Sequence, residues 1–306
     1  MNAATPRRRH RSYLIGLIGH GVWPSLTPPM HEHEGRRHGM NYVYRPVEFN
    51  LSDLSDGSPE RLRALLEWAQ TLGFDGLNIT HPLKQTVLPL VDDLSGTARS
   101  IGAVNTIVFD SERGLIGHNT DVTGFRASLD DALAAAPCGR VVLVGAGGAG
   151  SAVAHGLAGR GVESLVIVDV DERRAECLVD DIRCEYTVEV SSARPDDVGR
   201  LLGQADGVVN ATPFGMSHHP GTPFDTDALT GDMWVSDIVY RPVETQLVRR
   251  ARAHGCRVIV GLGMAMHQAA DAFEIFTGEA ADRSAMLSDL RSLIETEEAH
   301  TRVPRP

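Results

Sequence analysis

Residues 141–150 read VVLVGAGGAG, and this stretch decides the fold of the chain. Its four apolar residues predict a buried strand, and the glycines that follow match the pattern G-x-G-x-x-G. The next segment, which contains Val153 and Leu157, predicts a helix. Glycines at such a turn let the backbone approach a pyrophosphate at the helix N-terminus. The pattern therefore predicts a dinucleotide-binding Rossmann unit. The alternative is another doubly wound fold, such as a flavodoxin-like one, with an incidental glycine-rich turn.

The strand predicted after this helix ends in an acid. Residues 165–168 are apolar and lead into Asp169, at about the 20-residue distance expected of a ribose-binding carboxylate. A carboxylate there accepts hydrogen bonds from a free ribose 2′-hydroxyl and repels a 2′-phosphate. We therefore expect NAD rather than NADP. Arg173 and Arg174 follow, and they could attract a phosphate or stack on the adenine instead.

Short apolar runs alternate with helical patterns along most of the chain, which predicts parallel sheets covered by helices. Two stripes have helical spacing: Leu62, Leu65, Leu66 and Ala69, and then Met266, Ala269, Ala270 and Phe273. The predicted strands are Tyr13–Ile18, Asn41–Val47, Gly76–Ile79, Val104–Phe109, Val141–Val144, Ser164–Asp169, Thr187–Val190, Gly207–Asn210, Trp234–Ile238 and Arg257–Val260.

The length of 306 residues suits two α/β domains with a cleft between them. We predict a substrate-binding domain with a mostly parallel sheet over residues 12–120, joined by C-terminal helices at 264–298. A Rossmann domain is predicted over 121–263, and Gly261-Leu262-Gly263 permits a sharp turn at its end. Residues 1–11 and 299–306 are predicted to be flexible tails.

Composition excludes several classes of function. The formal charge of −11 argues against nucleic acid as the main partner, because phosphate binding needs a basic face. The apolar run at Tyr13–Gly19 is short for a signal peptide, and no run approaches the roughly 20 residues that span a bilayer. The 4 cysteines show no C-x-x-C spacing and fit reduced thiols in a cytoplasmic enzyme.

Lys84 is the only lysine among the 29 lysines and arginines of the chain. Arginine supplies surface charge and anion binding but does not release a proton near neutral pH, whereas a lysine amine can be tuned to do so. A single retained lysine therefore indicates either a chemical need for an amine or an ordinary surface residue.

Six separated motifs resemble the shikimate dehydrogenase family in order and spacing, over roughly residues 14–278. They are Ser25-Leu26-Thr27-Pro28, residues 76–84 (GLNITHPLK), Gly102-Ala103-Val104-Asn105-Thr106, Gly117-His118-Asn119-Thr120-Asp121, Asn210-Ala211-Thr212-Pro213 and Met266-His267-Gln268-Ala269.

The resemblance implies a role for each matching residue. Lys84 and Asp121 would be the catalytic pair beside the reacting hydroxyl, and Ser25 and Thr27 would bind the substrate carboxylate. Thr80, Asn105 and Gln268 would bind ring hydroxyls, with Tyr240 near the carboxylate end. The dinucleotide would be bound by Gly145, Ala146, Gly147, Gly148, Ala149, Asp169, Arg174, Thr212, Pro213, Gly261 and Met264.

Several of these residues also have structural explanations. Asp121 could be the N-cap of a helix, and Asn105 could cap a strand turn. Tyr240 could be a packing residue. Gln268 lies off the buried stripe of its helix, so it faces either solvent or a ligand.

Two pairs of histidines could suggest a metal site, but we expect none. His31 and His33 alternate with Glu32 and Glu34 on a predicted helix, where residues two apart do not share a face. We expect a solvated helix there, and a solvated loop at His218–His219.

The sequence departs from the NADP-dependent biosynthetic pattern of the family at two places, Ser25-Leu26-Thr27 and Asp169-Val170-Asp171. At both places it resembles the NAD-dependent quinate/shikimate dehydrogenase branch. The resemblance implies reversible hydride transfer between NAD and the C3 hydroxyl of a small-molecule partner, quinate or shikimate. The oxidised products would be 3-dehydroquinate or 3-dehydroshikimate. One alternative is a biosynthetic shikimate dehydrogenase that reduces 3-dehydroshikimate with NADPH. Another is a non-catalytic metabolite-sensing regulator on the same fold. A homodimer is compatible with the sequence.

Overall fold

The fold is described from a computed structural model for residues 12–50, 59–133 and 138–302. In these ranges the chain forms two six-stranded sheets flanked by helices, which confirms the predicted architecture of two α/β units. Within the same ranges, no helix combines the length and the hydropathy needed to cross a bilayer.

The first sheet contains β1 (Ser12–Gly19), β2 (Asn41–Glu48), β3 (Gly76–Ile79), β4 (Asp93–Leu94), β5 (Thr106–Asp110) and β6 (Gly114–His118). Their order is β2-β1-β3-β5-β6-β4. β5 is antiparallel to β3 and β6, and the other pairings are parallel, so the sheet is mixed. As a result, the carboxyl ends of β1, β3 and β6 and the start of β5 lie at one edge.

The strands β4 and β6 were not predicted. β4 has only two residues, and β6 is a five-residue run with two glycines, so neither shows a clear alternating pattern. A tight hairpin turn joins β5 to β6, and Asp110 Oδ1 holds it by accepting hydrogen bonds from the backbone of Glu112 and Arg113, both at 2.9 Å.

Helices cover both faces of this sheet. α2 (Glu60–Thr71) buries Leu62 and Leu66 in a cluster with Ile18 of β1. Neighbouring β1 residues, among them Ile15, point to the other face and pack with Phe273. The alternation along β1 therefore divides its side chains between two cores.

The expectation of a solvated helix at residues 31–34 was wrong for one side of α1 (Thr27–Arg37). His31 and Glu34 are fully buried, because α1 packs between the sheet and the C-terminal helices. His31 Nδ1 lies 3.2 Å from the Tyr42 hydroxyl, and burial lowers the pKa of His31 to about 3. Glu34 accepts hydrogen bonds from Arg37 and lies 2.9 Å from His38.

The second sheet contains β7 (Arg140–Val144), β8 (Ser164–Val168), β9 (Glu189–Ala193), β10 (Gly207–Asn210), β11 (Trp234–Asp237) and β12 (Arg257–Val260). All pairings are parallel, in the order β12-β11-β10-β7-β8-β9. Strands β8 and β9 follow β7 on one side, whereas β10, β11 and β12 are added on the other side. The order of the strands therefore reverses between β7 and β10. In open parallel sheets, ligands bind at the carboxyl ends of the strands beside such a switch point. β9 begins two residues later than predicted, since Glu189 pairs with Ser164.

The helices around the second sheet are α5 (Gly148–Arg160), α6 (Glu172–Glu185), α7 (Val198–Leu202) and α8 (Gln246–Ala253). Val153 and Leu157 of α5 are fully buried with Leu143 and Leu165 in one cluster. The helix predicted after the glycine turn is therefore confirmed.

Three further helices follow β6 and β12 along the chain. They are α4 (Thr120–Leu133), α9 (Leu262–Thr277) and α10 (Arg283–Arg302), and α9 packs against α1, α4 and α10. The predicted stripe of α9, from Met266 to Phe273, is buried. α10 continues past residue 299, where a tail was predicted to begin. Residues 303–306, and the predicted tail at 1–11, lie outside the described residues. A short helix, α3 (Gly96–Ile101), precedes β5.

Candidate active site

Lys84 and Asp121 meet at the carboxyl edge of the first sheet. Lys84 lies in the turn after β3, where its carbonyl accepts a hydrogen bond from Val104, and Asp121 lies in the first turn of α4. Lys84 Nζ donates to Asp121 Oδ2 at 2.6 Å, and the two side chains are 21% and 12% exposed. The pair is thus largely shielded yet open to a small ligand, and groups within hydrogen-bond reach can transfer a proton to one another.

The N-cap of α4 is Asn119, so the capping explanation for Asp121 was wrong. Asn119 Oδ1 accepts hydrogen bonds from the backbone of Asp121 at 3.1 Å and of Val122 at 3.4 Å. Its amide donates to the Ala103 carbonyl at 3.0 Å. The cap fixes the first turn of α4, and the Asp121 carboxylate is directed to Lys84 instead.

A network of buried amides supports this turn. Asn105 Oδ1 accepts from the Thr120 backbone at 2.8 Å, and its amide donates to Thr120 Oγ1 at 2.9 Å. Asn78 donates to the Asn105 carbonyl and to Thr106 Oγ1, and it accepts from the Tyr44 hydroxyl at 2.6 Å. Satisfied polar networks of this kind rigidify a site.

The other predicted substrate residues are half-buried. Ser25 and Thr27 flank the start of α1, and Ser25 Oγ accepts from the Thr27 backbone at 3.3 Å. Thr80 follows β3 at the same sheet edge as Lys84. Gln268 donates to the Ala265 carbonyl of its own helix at 3.0 Å. Tyr240 packs beside the α9–α10 cluster; burial raises the pKa of its hydroxyl, which neighbouring Arg241 partly offsets.

The glycine turn after β7 has a shape that only glycine permits. Gly145 has φ +107°, and a Cβ on Gly150 would lie 1.9 Å from the Gly145 carbonyl oxygen. Gly147 and Gly148 have no atom within 4 Å of where a Cβ would stand, so the N-terminus of α5 opens into free space. This cradle fits a pyrophosphate held by backbone N–H groups.

Asp169 closes one side of the glycine turn. It follows β8, is 8% exposed, and accepts hydrogen bonds from the backbone of Ala146 at 2.7 Å and of Asp171 at 2.9 Å. The Arg174 guanidinium lies 3.8 Å from Asp169 and 3.6 Å from Asp171. Arg174 is therefore shared between two carboxylates.

The turn after β10 closes the other side. Asn210 Oδ1 accepts from the Thr212 backbone at 3.0 Å, and the Ala211 backbone donates to the Val144 carbonyl at 2.7 Å. Pro213 is exposed beside Thr212.

The remaining two residues predicted for the dinucleotide begin α9. Gly261 is buried where a Cβ would meet the Ile238 carbonyl oxygen at 2.3 Å, and Met264 is half-buried against the core of the second sheet. These residues therefore line the same end of the second sheet as the glycine turn.

The Lys84–Asp121 pair and the helix that follows the glycine turn are linked by direct packing. Val122, next to Asp121, clusters with Ala152 in the second turn of α5 and with Ala103 and Ile101. This packing places the first turn of α4, which carries Asp121, against α5. In residues 12–50, 59–133 and 138–302 there is no cluster of three or more side chains suited to a metal ion.

Comparison with known proteins decides the family. The shikimate dehydrogenase substrate binding domain matches residues 17–107, and the shikimate 5′-dehydrogenase C-terminal domain matches residues 261–291. A shikimate dehydrogenase (NADP(+)) of Pseudarthrobacter chlorophenolicus is 50% identical over 293 residues, covering 95% of this chain and 98% of that protein. The chain belongs to the shikimate dehydrogenase family. The predicted family and enzyme class, an oxidoreductase, are confirmed.

Relatives of this shikimate dehydrogenase family member use either cofactor. The quinate/shikimate dehydrogenase (NAD(+)) of Corynebacterium efficiens is 49% identical over 285 residues, with 93% of this chain and 99% of that protein covered. The structure of quinate dehydrogenase from Corynebacterium glutamicum in complex with NAD has a TM-score of 0.86 and 47% identity, covering 92% and 99% of the two chains. Overall similarity therefore does not choose between NAD and NADP.

Several structural residues of the site were missed from the sequence. Asn78, Asn119 and Asp237 hold the site through buried hydrogen bonds. Asn78 and Asp237 have a signal in retrospect, because each is a polar residue inside or at the end of an apolar strand. Asn119 had the N-cap pattern, but that role was considered for Asp121.

Proposed function

We propose that this chain is an NAD-dependent quinate/shikimate dehydrogenase of the cytoplasm. It exchanges a hydride between NAD and the C3 hydroxyl of the ring acid, with 3-dehydroquinate or 3-dehydroshikimate as the oxidised product. The observation that carries the proposal is the Lys84–Asp121 contact of 2.6 Å beside the helix that follows the glycine turn. On this proposal, residues 12–120 with 264–298 bind the ring acid, and residues 121–263 bind the dinucleotide.

Lys84 and Asp121 act as one proton-transfer unit. A bound nicotinamide would supply the acceptor for the hydride of ring C3. The C3 hydroxyl loses its proton to the pair, so that an alcohol becomes a ketone with one hydride and one proton removed. Because the two side chains already share a hydrogen bond, the proton is held by the pair as a coupled system.

The ring acid is bound by short polar side chains. Ser25 and Thr27 donate hydroxyl hydrogen bonds to the carboxylate, with Tyr240 near this end. Thr80, Asn105 and Gln268 bind ring hydroxyls. Directional hydroxyl and amide groups read a polyhydroxylated ring with little loss of side-chain entropy. Asn105 can serve both the ring and Thr120, since its amide nitrogen has two hydrogens.

The preference for NAD rests on Asp169. Its buried carboxylate at the glycine turn accepts from a ribose 2′-hydroxyl and repels a 2′-phosphate. Arg174 is held by Asp169 and Asp171, which lowers its availability for a phosphate. The second candidate, a biosynthetic enzyme that uses NADPH, is favoured by Arg173, whose charge could attract a 2′-phosphate.

A matrix of initial rates tests the proposal. Purified enzyme is given NAD or NADP with quinate or shikimate at equal concentrations, and formation of the reduced nicotinamide is followed by absorbance. We expect turnover of both ring acids with NAD and a lower kcat/KM with NADP. A higher kcat/KM with NADP would support the biosynthetic enzyme, and no turnover in any cell of the matrix would support a metabolite-sensing regulator.

A further inference from the structure

Arg241 connects the second sheet to the turn that carries Ser25. It lies in the segment between β11 and α8. Its Nη1 donates to the Pro24 carbonyl oxygen at 2.6 Å, and its Nη2 donates to Glu297 on α10. Its side chain is 25% exposed. Both acceptors belong to elements that surround the first sheet, so one guanidinium joins the two halves of the molecule.

The segment that carries Arg241 is fixed at both ends by one buried carboxylate. Asp237, at the end of β11, accepts from the Val239 backbone at 3.1 Å and from Thr245 Oγ1 at 2.6 Å. Asn210 donates to the same carboxylate at 2.9 Å. Because the segment begins and ends on this group, Arg241 is held in place relative to the second sheet.

The turn that Arg241 contacts is anchored on its other side by Glu48. The backbone of Gly21 and of Val22 donates to the Glu48 carboxylate at 2.6 and 3.1 Å. Ser25 donates its backbone N–H to the Val22 carbonyl at 3.0 Å. The Pro24 carbonyl belongs to the peptide unit shared with Ser25. The contact from Arg241 therefore sets the position of Ser25 directly.

We propose that Arg241 is a positioning residue for the carboxylate end of the ring substrate. It fixes the Ser25 turn against the second sheet, and its charge lies beside the Tyr240 hydroxyl. The inference rests on the proposed function, in which Ser25, Thr27 and Tyr240 form the carboxylate side of the pocket. The effect of Arg241 falls on the binding of the ring acid and leaves the dinucleotide and the Lys84–Asp121 pair unaffected.

The first test is a split between Michaelis constants. Arg241→Met is compared with Arg252→Met, which removes an exposed arginine paired with Glu244. We expect Arg241→Met to raise KM for shikimate and quinate on the order of tenfold, with kcat and the KM of the dinucleotide changed by less than about twofold. Arg241→Lys, whose compact ammonium reaches one acceptor, gives an intermediate KM, and Arg252→Met gives wild-type values. An unchanged KM for the ring acids, or an equal rise in both Michaelis constants, overturns the inference.

The second test does not depend on turnover. Hydrogen exchange of the backbone over residues 20–30 is measured in the free wild-type protein, in Arg241→Met and in Arg252→Met. Arg241→Met accelerates exchange in this segment and Arg252→Met does not; equal exchange in all three proteins contradicts the inference. A wild-type protein that oxidises neither ring acid would contradict the proposed function instead, with the exchange result still readable.

Discussion

Replacing Asp169 by Asn separates two functions of one carboxylate. Asp169 accepts backbone hydrogen bonds from Ala146 at 2.7 Å and from Asp171 at 2.9 Å, and Arg174 lies 3.8 Å away. Asn keeps the size and one acceptor oxygen, but its amide nitrogen would face a backbone donor. A hydrogen bond to a charged group contributes about 1.5–3 kcal/mol, so the variant loses roughly one such contribution at the glycine turn.

The same change alters the choice of cofactor. A ribose 2′-hydroxyl loses a charged acceptor, whereas a 2′-phosphate loses a repelling neighbour and gains access to Arg174. With about 1.4 kcal/mol for each tenfold change, a loss of 1.5–3 kcal/mol predicts that the ratio of kcat/KM for NAD to kcat/KM for NADP falls by about 10- to 150-fold.

The assay measures kcat/KM for NAD and kcat/KM for NADP, in the wild-type protein and in each variant, at a saturating concentration of ring acid. Asp171→Asn is the matched control, because Asp171 is an exposed carboxylate that also pairs with Arg174 but lies outside the glycine turn. We expect the control to shift the ratio by less than about threefold. The reasoning is refuted if Asp169→Asn leaves the ratio at its wild-type value, or if Asp171→Asn changes it as much.

Three other predictions concern the glycine turn and the buried polar groups. Gly150→Ala should lower the free energy of unfolding, because its Cβ would lie 1.9 Å from a carbonyl oxygen, whereas Gly147→Ala should fold normally and bind the dinucleotide less tightly; calorimetry and titration separate the two, and equal melting temperatures would contradict the first. Tyr44→Phe should cost about 1–3 kcal/mol in denaturant unfolding by removing a 2.6 Å bond to buried Asn78, and no change would count against the network. His31, with a folded-state pKa of about 3, binds a proton more readily when unfolded, so its contribution to stability is present above pH 6.5 and lost as the pH falls towards 3. His31→Gln should remove on the order of 3 kcal/mol of acid destabilisation at pH 4, and an unchanged pH dependence would refute this.

The features that could be predicted from sequence depend on local patterns. The glycine turn is specified by residues that touch their own neighbours, so β7 was predicted to within one residue of its observed bounds and α5 was predicted to follow the turn. The burial of His31 was not predictable in this way, because it depends on Tyr42 and Phe273, which are distant in the chain. A helical repeat of apolar residues predicts that one face of the helix is buried. It does not predict that further helices cover a second face of the same helix.

In the candidate site too, the features that depend on contacts between distant residues could not be predicted from local patterns. The meeting of Lys84 and Asp121, 37 positions apart, was implied only by the resemblance to a family. The amides that hold the site, Asn78 and Asn119, were missed since a buried amide has no periodic pattern of its own. Arg241 has no signal in the local sequence, because its partners lie 217 and 56 positions away.

The most direct measurement of the central claim is the rate of ring oxidation by Lys84→Met, together with the dissociation constant of NAD. Methionine keeps most of the length of the side chain and removes the amine that lies 2.6 Å from Asp121. We expect kcat to fall by about 10²- to 10⁴-fold while the affinity for NAD stays within about twofold of wild type. Near-normal turnover by this variant would show that the amine takes no part in proton transfer and would contradict the account.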